Sequence, residues 1–206
     1  QKMLSYTPDG ISFTYDSAIY GTIDLFVPFI AKYQMMNAAL AAETMGVLKE
    51  FHKIEKQTLK AGMEHTKWQG RMETVLPGVI VDGAHNEDGI ARFVETVRYF
   101  QDDYSITLLF ATVSDKEFGD MIRKICSGLH FTNVIVTEIW GSRKQSSEEL
   151  AELFRENGCN QVCAQPDPEK AFDQAYEQKG DGLLFVVGSL YLVGEIKDYI
   201  RRKKYD

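Results

Sequence analysis

The chain is poor in cysteine, and the cysteines it has form no recognisable framework. Its 206 residues include only Cys126, Cys159 and Cys163, none of them in a CxxC pair. An odd number of thiols fits no closed disulfide framework, and sparse cysteine is typical of the reducing cytosol. We therefore predict a cytoplasmic protein with incidental thiols, the alternative being a metal site at Cys159 and Cys163.

Basic charge and long apolar runs are scarce as well. The chain has 23 Lys and Arg against 30 Asp and Glu, a net charge of −7, so we predict no nucleic-acid partner, because phosphates need basic surface. The tail Arg201–Lys204 instead fits a helix end, where the dipole favours cations. No apolar run reaches the roughly 18–20 residues of a membrane span, and no signal peptide is visible. The chain does not begin with Met, which leaves its natural start open.

The chain also has no glycine-rich loop that would hold a phosphate. Neither a Gly-Lys-Ser/Thr loop nor a GxGxxG turn occurs in it. In such loops backbone N–H groups bind the phosphate oxygens. A nucleotide bound by this chain therefore needs a phosphate loop from elsewhere.

Beyond residue 70, strand and helix patterns alternate. Short apolar runs that fit strands are Val79–Val81, Ile106–Ala111, Val134–Ile139, Gln161–Ala164 and Leu183–Val187. Amphipathic stretches that fit helices are 88–100, 115–127, 147–157, 168–179 and 189–203. This alternation predicts an α/β fold, a Rossmann-like and mostly parallel sheet with helices on both faces.

The first seventy residues follow a different pattern. Ile11–Tyr15 and Ile23–Val27 fit strands, and an Ala- and Met-rich helix is predicted over 33–51. The lysine-rich stretch after it shows no clear periodicity, so we predict a linker at 56–68. Residues 1–55 are then the last elements of a preceding domain, and 69–206 form the α/β domain.

Polar side chains follow the first strand of the α/β domain. Asp82 directly follows the apolar run 79–81, at the edge of the sheet where α/β folds bind ligands. Its carboxylate could accept hydrogen bonds from a ribose diol or could cap the next helix, a task for which Asn86 and Asp88 are better placed. His85 could contact a substrate or be an ordinary loop residue.

Three further residues have both a functional and a purely structural interpretation. Arg71 suits a phosphate, or is a surface arginine paired with Glu73. The Asn37 amide could read a base edge, or its Ala-rich helix could simply pack against another helix. Ser189, after the last strand, could help to bind an anion at a helix N-terminus or cap that helix.

Four short motifs together resemble the folylpolyglutamate synthase/dihydrofolate synthase family of the Mur ligase superfamily. They are Gln34-Met35-Met36-Asn37-Ala38-Ala39, Gly70-Arg71-Met72-Glu73 with Ile80–Asn86, Ser114-Asp115-Lys116, and Gly188-Ser189-Leu190-Tyr191. They occur in the family's order, which makes the resemblance specific. The first resembles the helix that closes the central ATPase domain, and the others resemble the C-terminal domain.

The resemblance implies an ATP-dependent ligase that adds L-glutamate to a folate or dihydropteroate. In this family Asn37 would contact adenine, Arg71 the phosphates and Asp82 the ribose, with His85 and Ser189 near the incoming glutamate. The phosphate loop, the Mg²⁺ ligands and the folate-binding loops would lie upstream. The resemblance therefore implies ATP, Mg²⁺ and small-molecule substrates, a monomer, and no catalytic or metal-binding residue within this chain.

The chain departs from the family pattern at three places, namely Ala31-Lys32-Tyr33-Gln34 at the helix start, Gln69 before the glycine, and Glu87 after Asn86. They leave the subfamily and the substrate open. The alternatives are a Mur-type ligase of peptidoglycan synthesis and a non-catalytic nucleotide-binding module. Since it lacks a phosphate loop, we predict that the 206-residue chain alone has no ligase activity.

Overall fold

The computed structural model describes residues 1–48, 54–114 and 118–203 and divides the chain into two compact units, Gln1–Gln69 and Gly70–Asp206. In the first unit, strands β1 (Lys2–Thr7), β2 (Gly10–Ser17) and β3 (Gly21–Val27) form an antiparallel sheet in that order. Helices α1 (Tyr33–Leu48) and α2 (Lys56–Glu64) follow. Strands β2 and β3 confirm two predicted strands, whereas β1 was not predicted.

The hydrophobic core of the first unit explains why both of its helices pack on the sheet. Alternate residues of β2 and β3 are buried with Ala38 and Ala42 of α1 and with Leu59 and Met63 of α2. The prediction of a linker at 56–68 is therefore wrong over the length of α2. Leu59 and Met63 are four residues apart and share one helical face, which is enough to anchor a nine-residue helix on the sheet. The predicted end of the first helix, 49–51, lies outside the described residues.

The second unit alternates strands and helices. Its elements are β4 (Glu73–Leu76), β5 (Val79–Val81), α3 (Glu87–Val97), β6 (Ile106–Phe110), α4 (Phe118–Gly128), β7 (Asn133–Val136), α5 (Ser147–Glu156), β8 (Val162–Ala164), α6 (Pro168–Lys179), β9 (Leu183–Val187) and α7 (Leu190–Lys203). The sheet order is β4-β5-β9-β6-β7-β8, and every pairing is parallel except that of β4 with β5. The predicted α/β fold with a mostly parallel sheet is confirmed.

Helices cover both faces of this sheet. On one face α6 and α7 bury Phe172 and Ile196 against Val81, Leu109 and other strand residues. On the other face the rings of Phe93 in α3 and Phe185 in β9 meet edge to face, 5.7 Å apart. The strands are buried on both sides, which explains why they read as unbroken apolar runs.

The predicted helix starts can be checked where they are described. Asp167 accepts hydrogen bonds from the N–H groups of Glu169 and Lys170, and Gly180 ends the helix with φ +52°. Ser146 accepts a hydrogen bond from the N–H of Glu149. No helix in the described parts of the chain is long and apolar enough to cross a membrane.

Candidate functional site

The predicted site residues of the second unit meet where the order of the parallel strands reverses. β9 lies between β5 and β6, and the helices that follow β5 and β9 cover opposite faces of the sheet. This topology predicts a crevice between the carboxyl ends of β5 and β9, which is where open α/β sheets bind ligands. The N–H of Gly188, just after β9, donates to the carbonyl of Ala84, just after β5, at 3.1 Å.

Asp82 lies at this edge and is 5% exposed. Its Oδ2 accepts a hydrogen bond from the N–H of Met72 at 2.9 Å, and its Oδ1 accepts one from the N–H of Ala84 at 2.8 Å. Burial raises the pKa of Asp82, while the two N–H donors and the nearby charges of Arg71 and His85 oppose the rise. Asn86, not Asp82, caps α3 by accepting from the N–H of Gly89. The capping interpretation of Asp82 is therefore wrong.

Arg71 lies on a tight turn that is held by hydrogen bonds with Asp82 and Gly83. Gly70 has φ +66° and Met72 has φ +45°, both in the left-handed region, which a non-glycine residue rarely adopts. The N–H of Gly83 donates to the carbonyl of Gly70 at 2.7 Å, and the carboxylate of Asp82 accepts from the N–H of Met72. The turn is thus anchored at both ends, with the exposed Arg71 between the anchors.

The alternative partner of Arg71 is engaged elsewhere. Both carboxylate oxygens of Glu73 accept from Nζ of Lys197 at 2.8 Å, and its Oε2 also accepts from the N–H of Gly70 at 2.8 Å. The interpretation of Arg71 as a partner of Glu73 is therefore wrong. Over residues 1–48, 54–114 and 118–203 the guanidinium of Arg71 makes no hydrogen bond or ion pair, which leaves its planar donor set for a ligand.

His85 and Ser189 lie on the two loops that the bond from Gly188 to Ala84 joins. The Nδ1 of His85 lies 2.8 Å from the carbonyl of Gly83, which accepts a hydrogen bond and places the ring proton on Nδ1. The Oγ of Ser189 accepts from the N–H of Tyr191 at 3.1 Å, so Ser189 caps the start of α7. Its hydroxyl proton stays available as a donor, and capping and ligand binding are compatible.

Asn37 belongs to the other unit. It is exposed on α1, and its Nδ2 donates to Oε1 of the buried Gln34 at 2.8 Å. Ala38, Ala39 and Ala42 are buried, which confirms that the small residues of this helix pack closely. The Gln34 bond fixes the orientation of the Asn37 amide and leaves its oxygen as an acceptor.

Sequence reasoning missed a loop, residues 137–146, at the same edge of the sheet. The N–H of Trp140 donates to Oε1 of Glu195 in α7 at 2.8 Å, and Arg143 donates to the hydroxyl of Tyr191 at 2.7 Å. Thr112, after β6, is fully buried, and its Oγ1 finds no partner among the described residues. Only its position after an apolar run could have indicated Thr112, whereas the loop contacts depend on the tertiary fold.

The site offers hydrogen-bond donors that suit an anion such as a phosphate. The described residues contain no group of three His, Cys, Asp or Glu side chains that could hold a cation. Asp82, the buried carboxylate at this edge, already accepts two backbone hydrogen bonds. The exposed guanidinium of Arg71 offers the donors that phosphate oxygens accept.

Replacing Asp82 tests whether this carboxylate holds the turn. We expect Asp82→Ala to lower the free energy of unfolding by about 3 kcal/mol, because two buried N–H groups lose their acceptor. Asp82→Asn should cost about half as much, since an amide oxygen can keep one of the two bonds. Urea unfolding gives both values, with the exposed Asp102→Asn as the unchanged control. An Asp82→Ala variant as stable as the wild type would contradict the assignment.

The carboxyl of Glu195, which binds loop 137–146, makes the stability of the chain depend on pH. Burial raises the pKa of Glu195 above its ordinary 4.5, outweighing the bond from Trp140, and its Oε2 is buried without a partner among the described residues. Above pH 4.5 and up to the raised value, the folded chain binds more protons than the unfolded one, so stability falls as pH rises through this window.

The variant Glu195→Gln removes this titration and keeps an oxygen for the N–H of Trp140. We expect the urea midpoint of the wild type to fall relative to that of Glu195→Gln between about pH 4 and pH 7. The exposed Glu156→Gln, measured in the same series, should retain the wild-type slope. Parallel profiles for the wild type and Glu195→Gln would show that Glu195 titrates normally.

The fold and the site define an α/β domain with a candidate ligand site at the carboxyl edge of a mostly parallel sheet. The sequence matches the family described as Mur ligase, glutamate ligase domain, over residues 70–190. This match covers more than half of the chain. The chain therefore belongs to the Mur ligase family through its glutamate ligase domain.

Known proteins resemble the chain over nearly its whole length. It is 25% identical over 209 residues to the dihydrofolate synthase/folylpolyglutamate synthase of Bacillus subtilis, covering 94% of this chain and 45% of that protein. It is 24% identical over 192 residues to the folylpolyglutamate synthase of Lacticaseibacillus casei, covering 91% of this chain and 43% of that protein. The chain thus spans less than half the length of these relatives.

Solved structures agree with the fold. The folylpolyglutamate synthase of Thermotoga maritima superposes with a TM-score of 0.82 at 25% identity, covering 100% of this chain and 47% of that one. A Mycobacterium tuberculosis folylpolyglutamate synthase, solved with ADP and AMPPCP, gives a TM-score of 0.79 at 21% identity, covering 96% of this chain and 46% of that one. The second likeness supports the fold alone.

Proposed function

We propose that the chain is the C-terminal portion of a folylpolyglutamate synthase. This enzyme is an ATP-dependent ligase that adds L-glutamate to a (tetrahydro)folate or dihydropteroate through an acyl phosphate. One observation carries the proposal: the anchored turn of Arg71 lies over Asp82, next to the loops of His85 and Ser189. An exposed cation beside polar groups at the carboxyl edge of a parallel sheet is suited to bind a nucleotide phosphate.

The proposed roles follow from the atoms that each side chain leaves available. Arg71 would bind phosphate oxygens, because its guanidinium makes no hydrogen bond or ion pair with the described residues. Asp82 would accept from a ribose hydroxyl, since each of its oxygens accepts one backbone bond and keeps a second lone pair. Asn37 would contact adenine through its amide. These three residues form the proposed ATP-binding set.

His85 and Ser189 would receive the incoming glutamate. Since Nδ1 bonds to the Gly83 carbonyl, His85 has Nε2 left for a ligand, and Ser189 has a hydroxyl proton to donate to a carboxylate. The amine of glutamate would attack the acyl phosphate, forming the amide bond and releasing phosphate. In such a transfer the protein mainly positions the reactants and stabilises charge.

The proposal assigns the rest of the enzyme to chain outside these 206 residues. Residues 1–55 would be the end of a central ATPase domain, whose missing part would supply the phosphate loop and the Mg²⁺ ligands. Residues 69–206 would be the C-terminal domain. The whole enzyme would be a cytoplasmic monomer that acts on small molecules, namely ATP, glutamate and a folate.

The decisive experiment uses the full-length protein that contains this chain. We expect glutamate-dependent ADP release with a reduced folate or dihydropteroate and none with muramyl peptides. Activity with muramyl substrates would favour a peptidoglycan ligase, and no ADP release with either class would favour a non-catalytic module. The 206-residue chain alone should release no ADP, and robust release by it would contradict the proposed division of the site.

A further inference from the structure

Two of the three cysteines come together at the far end of the second unit. The sulfur atoms of Cys126 and Cys159 lie 3.3 Å apart, although 33 positions separate the residues in the chain. Both side chains are partly exposed, and both thiols are free. No pattern in the sequence, such as a CxxC pair, indicates this contact.

The backbone holds both cysteines in place. Cys126 lies in the last turns of α4, where the N–H of Leu129 donates to the carbonyl of Ile125. Cys159 follows α5, and its N–H donates to the carbonyl of Phe154 at 3.0 Å. The sulfur contact therefore joins the ends of two neighbouring helices on the same face of the sheet.

The third cysteine is not part of this pair. The sulfur of Cys163, in β8, lies 3.7 Å from the carbonyl of Ala164 and 3.8 Å from Oε1 of Gln174. The metal site considered for Cys159 and Cys163 has no support in the structure, since the described residues form no metal-binding group. Cys163 is instead a natural control for the chemistry of the other two.

We propose that Cys126 and Cys159 are a site of reversible disulfide formation, oxidised by a small-molecule disulfide of the glutathione type. The sulfur atoms need to approach from 3.3 Å to about 2.05 Å, a shift that side-chain rotation and small movements of the helix ends can supply. Each protein disulfide formed reduces one small disulfide to two thiols. Two protons and two electrons leave the pair, so the exchange balances.

The two thiols have different tasks in the exchange. The contact between the two sulfur atoms lowers the pKa of Cys159 and raises that of Cys126, so Cys159 is the first to attack the small disulfide. The attack forms a mixed disulfide on Cys159 and releases one thiolate. Capping Cys159 removes the main cause of the raised pKa of Cys126, which then attacks the Cys159 sulfur and releases the second thiolate.

The cross-link would stabilise the unit without closing the ligand crevice. α4 and α5 run back from the carboxyl edge of the sheet, so their ends lie at the opposite edge from Asp82 and Ser189. A disulfide that closes a loop of this length restricts the unfolded chain, and we expect the melting temperature to rise by on the order of 10 °C. The structural effect is a bridge between two helix ends.

The experiment equilibrates the wild-type chain with a series of glutathione redox buffers and quenches the thiols with an alkylating reagent. We expect one disulfide per chain, seen in the intact mass as one added alkyl group where the fully reduced chain carries three, with peptide mapping that joins Cys126 to Cys159. Cys163→Ser should give the same result. Cys126→Ser should instead carry one glutathione on Cys159.

A second measurement probes the reduced pair directly. A trivalent arsenical that needs two adjacent thiols should bind the reduced wild type once and leave Cys163 alone to react with a thiol reagent. It should also bind Cys163→Ser, but not Cys126→Ser. A wild type that forms no internal disulfide even in the most oxidising buffer, or a bridge mapped to Cys163, would overturn the proposal.

Discussion

Gly188→Ala is expected to lower the free energy of unfolding by about 3–5 kcal/mol, as positive-φ strain and overpacking add together. Gly188 has φ +108°, and a Cβ atom there would lie 2.4 Å from the carbonyl oxygen of Ala111 and 2.7 Å from the ring of Phe110. Neither neighbour can move away, because one is backbone between paired strands and the other is fully buried. The urea midpoint should fall with the slope unchanged.

The same substitution also tests the construction of the crevice. The N–H of Gly188 donates to Ala84, so moving the backbone here separates the loops of His85 and Ser189. Gly194→Ala in α7 is the matched control, since its Cβ would meet no atom within 4 Å. Alanine is the better helix former, and we expect that variant to be more stable by up to about 1 kcal/mol. A Gly188→Ala variant of unchanged stability would contradict the close approach of β9 to β6.

The parallel strands could be predicted because burial on both faces leaves an unbroken apolar run. Val79–Val81 and Leu183–Val187 were predicted with the bounds that the structure gives. β1 was not predicted because its residues are mostly exposed and show no clear alternation of apolar and polar side chains. β4 is the antiparallel edge strand, short and partly buried, and only its pairing with β5 defines it.

The sequence was enough to predict where the candidate site lies, but it did not predict the hydrogen bonds within the site. Asn86 and Asp88 were the better candidates for the helix cap, and the structure shows Asn86 in that role. The hydrogen bond from the N–H of Met72 to Asp82 depends on how β4 pairs with β5. Met72 also has a positive φ, which non-glycine residues usually avoid, so no sequence pattern indicates it. Contacts such as that of Cys126 with Cys159 depend on helix packing, which local patterns do not encode.

Arg71→Ala in the full-length enzyme is expected to lower kcat/KM for ATP by about 10²–10³, the usual effect of removing one charge-stabilising donor. The free energy of unfolding should change by less than about 0.5 kcal/mol, because the guanidinium is exposed and the turn is held by backbone bonds of its neighbours. Arg71→Lys should recover only part of the loss, since an ammonium group cannot form the paired hydrogen bonds of a guanidinium.

The matched control is Arg92→Ala, an arginine on α3 whose ion pair with Glu95 is a surface contact. We expect Arg92→Ala to leave both the kinetics and the stability close to wild type, because such pairs contribute little.

If Arg71→Ala kept wild-type ATP kinetics in an active enzyme, the phosphate role would be wrong although the ligase assignment would stand. A loss of activity accompanied by unfolding would instead make Arg71 a structural residue, which its exposed position argues against. The combination of a large kinetic loss with an unchanged urea midpoint is therefore the result that identifies a ligand contact.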